Sequence, residues 1–167
     1  MANFELFKRL FGSTQDRREK PRVNAPQGIV VLIVDDSPTI VAMLRKFLQQ
    51  NGYQTLEAGD AEKGIEIARS AKPHLIFLDI VLPGMNGFAA LRTLRKDPET
   101  QHIPVVMISG NEQATEQFYA QRIGADDFMK KPFSRSEVFA RIEHLLGADL
   151  MPKRHVTAAP GAPAQRS

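Results

Sequence analysis

Five side chains in this sequence could do chemistry together: Asp35, Asp36, Asp79, Ser109 and Lys131. Three carboxylates in one crevice repel one another and do not all stay ionised unless cations are present. Lys131 supplies one positive charge, and a divalent metal would supply the rest. An oxygen-only donor set without Cys or His favours a hard cation, Mg2+ rather than zinc. A carboxylate is also a competent acceptor for a phosphoryl group. A hydroxyl and an ammonium facing it would hold the phosphoryl oxygens. The chemistry these residue types point to is Mg2+-assisted formation of an aspartyl phosphate. Taken singly, each has a plainer reading: Asp35, Asp36 or Ser37 as a helix cap, Ser109 as a turn residue, Lys131 as a solvated lysine. Convergence of all five on one place decides between the readings, and that depends on the elements that carry them.

The stretch His74 to Asp79 is an unbroken apolar run closed by one carboxylate, with the turn signal Pro83-Gly84 soon after. Continuous Leu, Ile and Phe without alternation is how a strand buried on both faces reads. Ile29 to Val34 is a β-branched run that ends at Asp35-Asp36. Ser37 as N-cap and Pro38 in the first turn then open a helix whose buried face is Leu44, Phe47 and Leu48. Asn51-Gly52 stops that helix, and Tyr53 to Ala58 is a second strand. Asp60 caps a helix that ends before Pro73. After the third strand come the loop Pro83 to Gly87 and a helix to about Lys96. Ile103 to Ile108 is a fourth strand, ending at Ser109-Gly110. Asn111 caps the next helix, which Gly124 terminates. A weaker fifth strand spans Asp126 to Met129 before Lys130-Lys131-Pro132. Ser134 and Glu137 form a capping box for a last helix burying Val138, Ile142, Leu145 and Leu146. Five strands alternating with five helices predict an α/β fold, a parallel sheet covered on both faces. All five polar candidates then fall on its carboxyl edge, where open α/β sheets bind ligands.

Composition narrows the rest. With 43% hydrophobic and 25% charged residues in 167, this reads as an ordinary globular chain with one domain and some spare length. No run reaches 18 apolar residues, the N-terminus lacks the pattern of a secretory signal, and there are no cysteines. The expected location is therefore cytoplasmic. The net charge of +3 is uneven: residues 28–147 hold 13 Lys/Arg against 15 Asp/Glu, so the basic excess lies in the ends. A nucleic-acid-binding body would need its own basic stripe, and none is expected here. The organisation predicted is an N-terminal extension at 1–27, a globular domain at 28–147 and a disordered Ala/Pro-rich tail at 148–167.

The motifs Val34-Asp35-Asp36-Ser37, Asp79-Ile80-Val81-Leu82-Pro83-Gly84-Met85-Asn86-Gly87, Ile108-Ser109-Gly110 and Lys131-Pro132-Phe133 resemble those of response-regulator receiver domains across residues 28–147. Within that family the chain is similar to the stand-alone CheY-like group of chemotaxis and type IV pilus twitching-motility regulators. The resemblance implies a doubly wound, flavodoxin-like sheet of order 2-1-3-4-5, with Asp79 phosphorylated by a histidine kinase. It implies Asp36, Asp79 and the backbone carbonyl of Val81 as direct Mg2+ ligands, with Asp35 acting through water. Ser109 would hydrogen-bond the phosphoryl group, Lys131 would pair with it, and the Lys131-Pro132 bond would be cis. Phe128 takes the switch-aromatic position that turns inward with Ser109. Val81 and Asn111 would flank the path of hydrolytic water and tune dephosphorylation. Gly110, where the family more often has Ala, departs from the pattern and should loosen the loop carrying the switch hydroxyl.

With no output domain expected after residue 147, the signal would leave by binding an effector through the last two strand-helix units. The alternative is a phosphotransfer intermediate or phosphate sink without its own effector. A hydrolase using an aspartyl-phosphate intermediate would usually carry Asp-x-Asp after the first strand, whereas this chain has adjacent Asp35-Asp36. The N-terminal extension adds one more expectation. On a helical wheel of about 100° per residue, Phe4, Leu6, Phe7, Leu10 and Phe11 share one arc, with Glu5, Lys8 and Arg9 opposite. Asn3 would cap this helix and Gly12 would end it. So short a helix needs a surface to fold upon. Its partner would be the chain's own body, a second copy in a homodimer, another protein or, least of all, a membrane surface.

Overall fold

The computed structural model describes residues 28–110 and 114–155. Its strands are β1 (Val30–Val34), β2 (Gln54–Ala58), β3 (Leu75–Asp79), β4 (Val105–Ser109) and β5 (Asp127–Lys130). Its helices are α1 (Pro38–Gln49), α2 (Ala61–Ala71), α3 (Gly87–Lys96), α4 (Ala114–Ile123) and α5 (Arg135–Leu145). Every strand pair is parallel and the order is β2-β1-β3-β4-β5, the doubly wound arrangement anticipated. Strands begin one or two residues later than expected: Ile29, Tyr53 and His74 precede the ladder, as do Ile103 and Pro104.

Alternation along the strands builds two cores. Leu32 and Val34 of β1 face one side with Ile76 and Leu78 of β3, under α2, α3 and α4. Val31 and Ile33 face the other with Leu75 and Phe77, under α1 and α5. Every residue of β3 and β4 is buried, because both strands have neighbours left and right and helices above and below. Burying side chains such as these is worth about 1.5–3 kcal/mol each, so the two central strands contribute heavily to the stability of the described fold.

Local signals set the helix starts. Ser37 Oγ accepts from Ile40 N at 3.4 Å, Asp60 Oδ1 from Lys63 N at 2.7 Å and Ser134 Oγ from Glu137 N at 3.2 Å. Asn86 does the same for α3, accepting from Ala89 N at 2.9 Å. The helix ending before Pro73 is closed by Lys72, a non-glycine residue at φ 46°.

One expectation is corrected. The tail was expected to be disordered from residue 148, yet residues 148–155 fold back onto the domain. Leu146 and Pro152 form an antiparallel bridge, and Lys153 N donates to Leu145 O at 2.9 Å. Met151 packs on the core beside α1 and α5. Arg154 Nε meets Asp126 Oδ1 at 2.9 Å, and its Nη atoms donate to the carbonyls of Gln101 and Gly124, both at 3.2 Å. Asp126 also binds the nearly buried Arg95 at 2.8 Å. The Ala/Pro/Gly bias that suggests disorder is concentrated beyond residue 155. Met151, Pro152 and Arg154 carry the apolar surface and charge that anchor the segment before it. Residues 1–27, which include Phe4, Phe7, Leu10 and Phe11, lie outside the described residues.

Candidate functional site

Three strand ends and one loop make the site. β1 runs straight into Asp35 and Asp36, β3 ends at Asp79, and Lys131 follows β5 beyond a cis Lys131-Pro132 peptide bond. Because the strands are parallel, all these ends emerge on one edge. The acidic atoms of Asp35, Asp36 and Asp79 come within 4.8 Å of one another. Asp35 and Asp79 are buried, whereas Asp36 is exposed at the rim.

Lys131 sits between the two buried acids. Its Nζ lies 2.9 Å from Asp35 Oδ2 and 3.1 Å from Asp79 Oδ2. The contact to Asp79 is a hydrogen bond, but that to Asp35 lacks hydrogen-bond alignment and leaves a buried oxygen without one. Asp35 Oδ1 accepts from Ser37 N at 2.8 Å, and Asp79 Oδ1 from Val81 N at 3.3 Å. Burial, then repulsion from Asp35, raises the Asp79 pKa above the ordinary carboxylate value despite Lys131. Burial pulls Lys131 down, but the charges of Asp35 and Asp79 beside it outweigh burial and raise it, so it stays charged.

That balance makes a prediction. Between its ordinary and its raised pKa, folded Asp79 binds more protons than the unfolded chain, so stability falls as pH rises through that window. At neutral pH the ionised carboxylate therefore costs stability. Asp79→Asn, in chelator, should be more stable than the parent at pH 7. The gain should shrink toward pH 4. Urea unfolding at the two pH values checks both the sign and the trend.

The remaining candidates are placed less uniformly. Ser109 ends β4 beside β3, where Asp79 pairs with Ile108, and its backbone carbonyl accepts from Lys131 N at 2.7 Å. Its hydroxyl donates to the carboxylate of Glu116, in the first turn of α4. Phe128 is buried in β5 opposite Met107, its ring already in the core. Val81 stands 67% exposed beside the acidic cluster. Asn111 lies outside the described residues.

Glu116 carried no sequence signal of its role, and Gly87 showed only as the last residue of the motif that begins at Asp79. Glu116 is seven positions past Ser109, and nothing in that spacing announces a contact. Gly87 opens α3 against the backbone of the site: its N–H donates to Ile80 O at 2.8 Å, and a Cβ there would lie 2.1 Å from Asp79 O.

The donor set fits a small hard cation. Three carboxylates face one ammonium, the buried oxygen of Asp35 lacks a hydrogen bond, and only oxygens are presented. Among the described residues no helix is long and apolar enough to cross a membrane.

Residues 31–143 match the family model described as the response regulator receiver domain. Protein PilH of Pseudomonas aeruginosa is 40% identical over 116 residues, covering 70% of this chain and 96% of PilH. The alkaline phosphatase synthesis transcriptional regulatory protein PhoP of Bacillus subtilis is 34% identical; the match covers 79% of this chain and 52% of PhoP. Chemotaxis protein CheY4 of Vibrio cholerae superposes with a TM-score of 0.67 at 26% identity, covering 70% of this chain and 98% of that one.

Proposed function

The chain belongs to the response regulator receiver domain family, and from that premise we propose that it is a phosphorylation-controlled binding module. In this reading Asp79 accepts a phosphoryl group from a histidine kinase. The observation that carries it is the buried Asp79 carboxylate, held 3.1 Å from Lys131 at the open edge of the sheet and crowded by Asp35.

The Asp79 oxygen attacks phosphorus, the P–N bond to the donor imidazole breaks, and the imidazole nitrogen leaves with the electron pair and takes up a proton. Lys131 offsets the charge gathering on the phosphoryl oxygens. Asp36, Asp79 and the Val81 carbonyl would hold Mg2+, with Asp35 acting through water. Bound there, the ion would neutralise carboxylate charge and favour the charge developing on the transferred group. Ser109 would hydrogen-bond the phosphoryl group after leaving Glu116, and Phe128, at the switch-aromatic position, already has its ring in the core.

Val81 gives a second handle. Water must approach phosphorus in line with the Asp79 oxygen, and the exposed Val81 side chain beside that path cannot orient it. Val81→Asn is expected to speed decay of the aspartyl phosphate several-fold. Equal decay rates in the two proteins would remove Val81 from the account.

The effector would be met through the last two strand-helix units, and the N-terminal segment with Phe4, Phe7, Leu10 and Phe11 would tether the chain near its kinase. Beryllofluoride with Mg2+ should let the full chain capture a protein other than its kinase that the untreated chain does not hold. Capture of the kinase alone in both states would favour a phosphate sink instead.

A further inference from the structure

α4 carries an apolar surface that the described fold does not cover. Of its residues 115–123 only Ala120 is buried, while Phe118 is 62% and Tyr119 42% exposed. Tyr119 stands edge-on to Phe88 of α3, ring centres 4.9 Å apart. These three aromatics, with Thr115 and Glu116, line an open groove of about 590 Å³ between the two helices. Glu116, at the end nearer the acidic site, is the residue that holds the Ser109 hydroxyl.

The rim of this groove is cationic. Arg92 lies 5.2 Å from the centre of the Tyr119 ring and Arg122 lies 5.8 Å from that of Phe118. Arg92, Lys96 and Arg122 gather with Tyr119 and Ile123 in the adjoining depression. This is a local concentration, since residues 28–147 hold more acidic than basic side chains. Exposed aromatics flanked by arginines are the composition of a surface that binds through a few apolar anchors. The charge around them selects which partner approaches.

We propose that the groove between α3 and α4 docks an acidic amphipathic segment of a partner protein. Its apolar anchors seat on Phe88, Phe118 and Tyr119, and its carboxylates face Arg92, Lys96 and Arg122. Charge separates this occupant from the two nearer candidates. The chain's own N-terminal segment has apolar residues to offer, but it brings Lys8 and Arg9 against a single Glu5. A second copy meeting this face symmetrically would set the same arginines against each other. The proposal extends the reading of the chain as a binding module.

Selection of displayed random peptides on the full chain tests it. Enriched peptides should combine aromatic or aliphatic residues with Asp and Glu. Their affinity should fall at least about tenfold in Phe118→Ala and in the double variant Arg92→Glu/Arg122→Glu. It should be unchanged in Arg45→Glu, an exposed cation on α1. Acetyl phosphate labelling of Asp79 in the same variants keeps the two readings apart: normal labelling with lost binding localises the groove, whatever the fate of the phosphoacceptor assignment. The proposal is overturned by no enrichment, by enrichment of basic or uncharged peptides, by affinities that ignore the groove variants, or by equally tight binding of a peptide of residues 1–12.

Discussion

Gly87→Ala is expected to cost the fold about 3 kcal/mol and to cripple acceptance of phosphate at Asp79. The methyl group would sit 2.1 Å from Asp79 O and 2.8 Å from Ile80 Cα, both backbone atoms that no rotamer change can move aside. Either α3 retreats or the Asp79-Ile80 turn distorts. Retreat would loosen Ala90, Leu91 and Leu94, all buried under the sheet. Distortion would re-aim the carboxylate itself and break the 2.8 Å bond from Gly87 N to Ile80 O. Gly110→Ala is the matched control, because a Cβ there meets nothing within 4 Å. Urea unfolding of the two variants should separate them clearly, with Gly110→Ala within about 0.5 kcal/mol of the parent. Parent-like stability in Gly87→Ala would mean that α3 is free to shift, contrary to this packing.

Lys131→Met should produce the second large effect. Methionine keeps an apolar stem but removes the one ammonium between Asp35 and Asp79, whose side chains are 0% and 4% exposed. Breaking a fully buried ion pair costs about 3–5 kcal/mol. Here Lys131 is 21% exposed and Asp79, already raised, can take up a proton, so about 2 kcal/mol is the expected loss in chelator. Because the deficit is one of positive charge, Mg2+ should stabilise the variant more than it stabilises the parent. Labelling of Asp79 should fall about a hundredfold, the usual scale for losing one preorganised stabiliser of developing charge. Thermal unfolding with and without Mg2+ reads the first effect, and labelling rates read the second. A variant whose stability ignores Mg2+ would contradict the charge balance drawn here.

The fold was legible wherever a short-range pattern carried it. Continuous burial of Leu75 to Leu78 showed in unbroken apolar residues, and the caps at Ser37, Asp60 and Ser134 are local hydrogen bonds made within three positions. The acidic cluster was legible because parallel strands place all their carboxyl ends on one edge, so Asp35, Asp36 and Asp79 had to meet. What escaped was tertiary. The Ser109–Glu116 contact depends on how α4 is set over β4. Arg154 reaches Asp126 only because the chain doubles back after α5. The close seat of Gly87 depends on a helix start pressed against the strand end. None of these leaves a periodicity or a spacing that a sequence displays.

Direct labelling tests the proposed role of Asp79 as phosphoacceptor most plainly. Incubated with acetyl phosphate and Mg2+, the full chain should gain one phosphoryl group, located at Asp79 by borohydride reduction and peptide mass spectrometry. Asp79→Asn should gain none, although the near-isosteric side chain leaves the fold intact, and the parent in chelator should gain almost none. Labelling that persists in Asp79→Asn, maps to another residue, or proceeds equally well without a divalent cation would contradict the assignment.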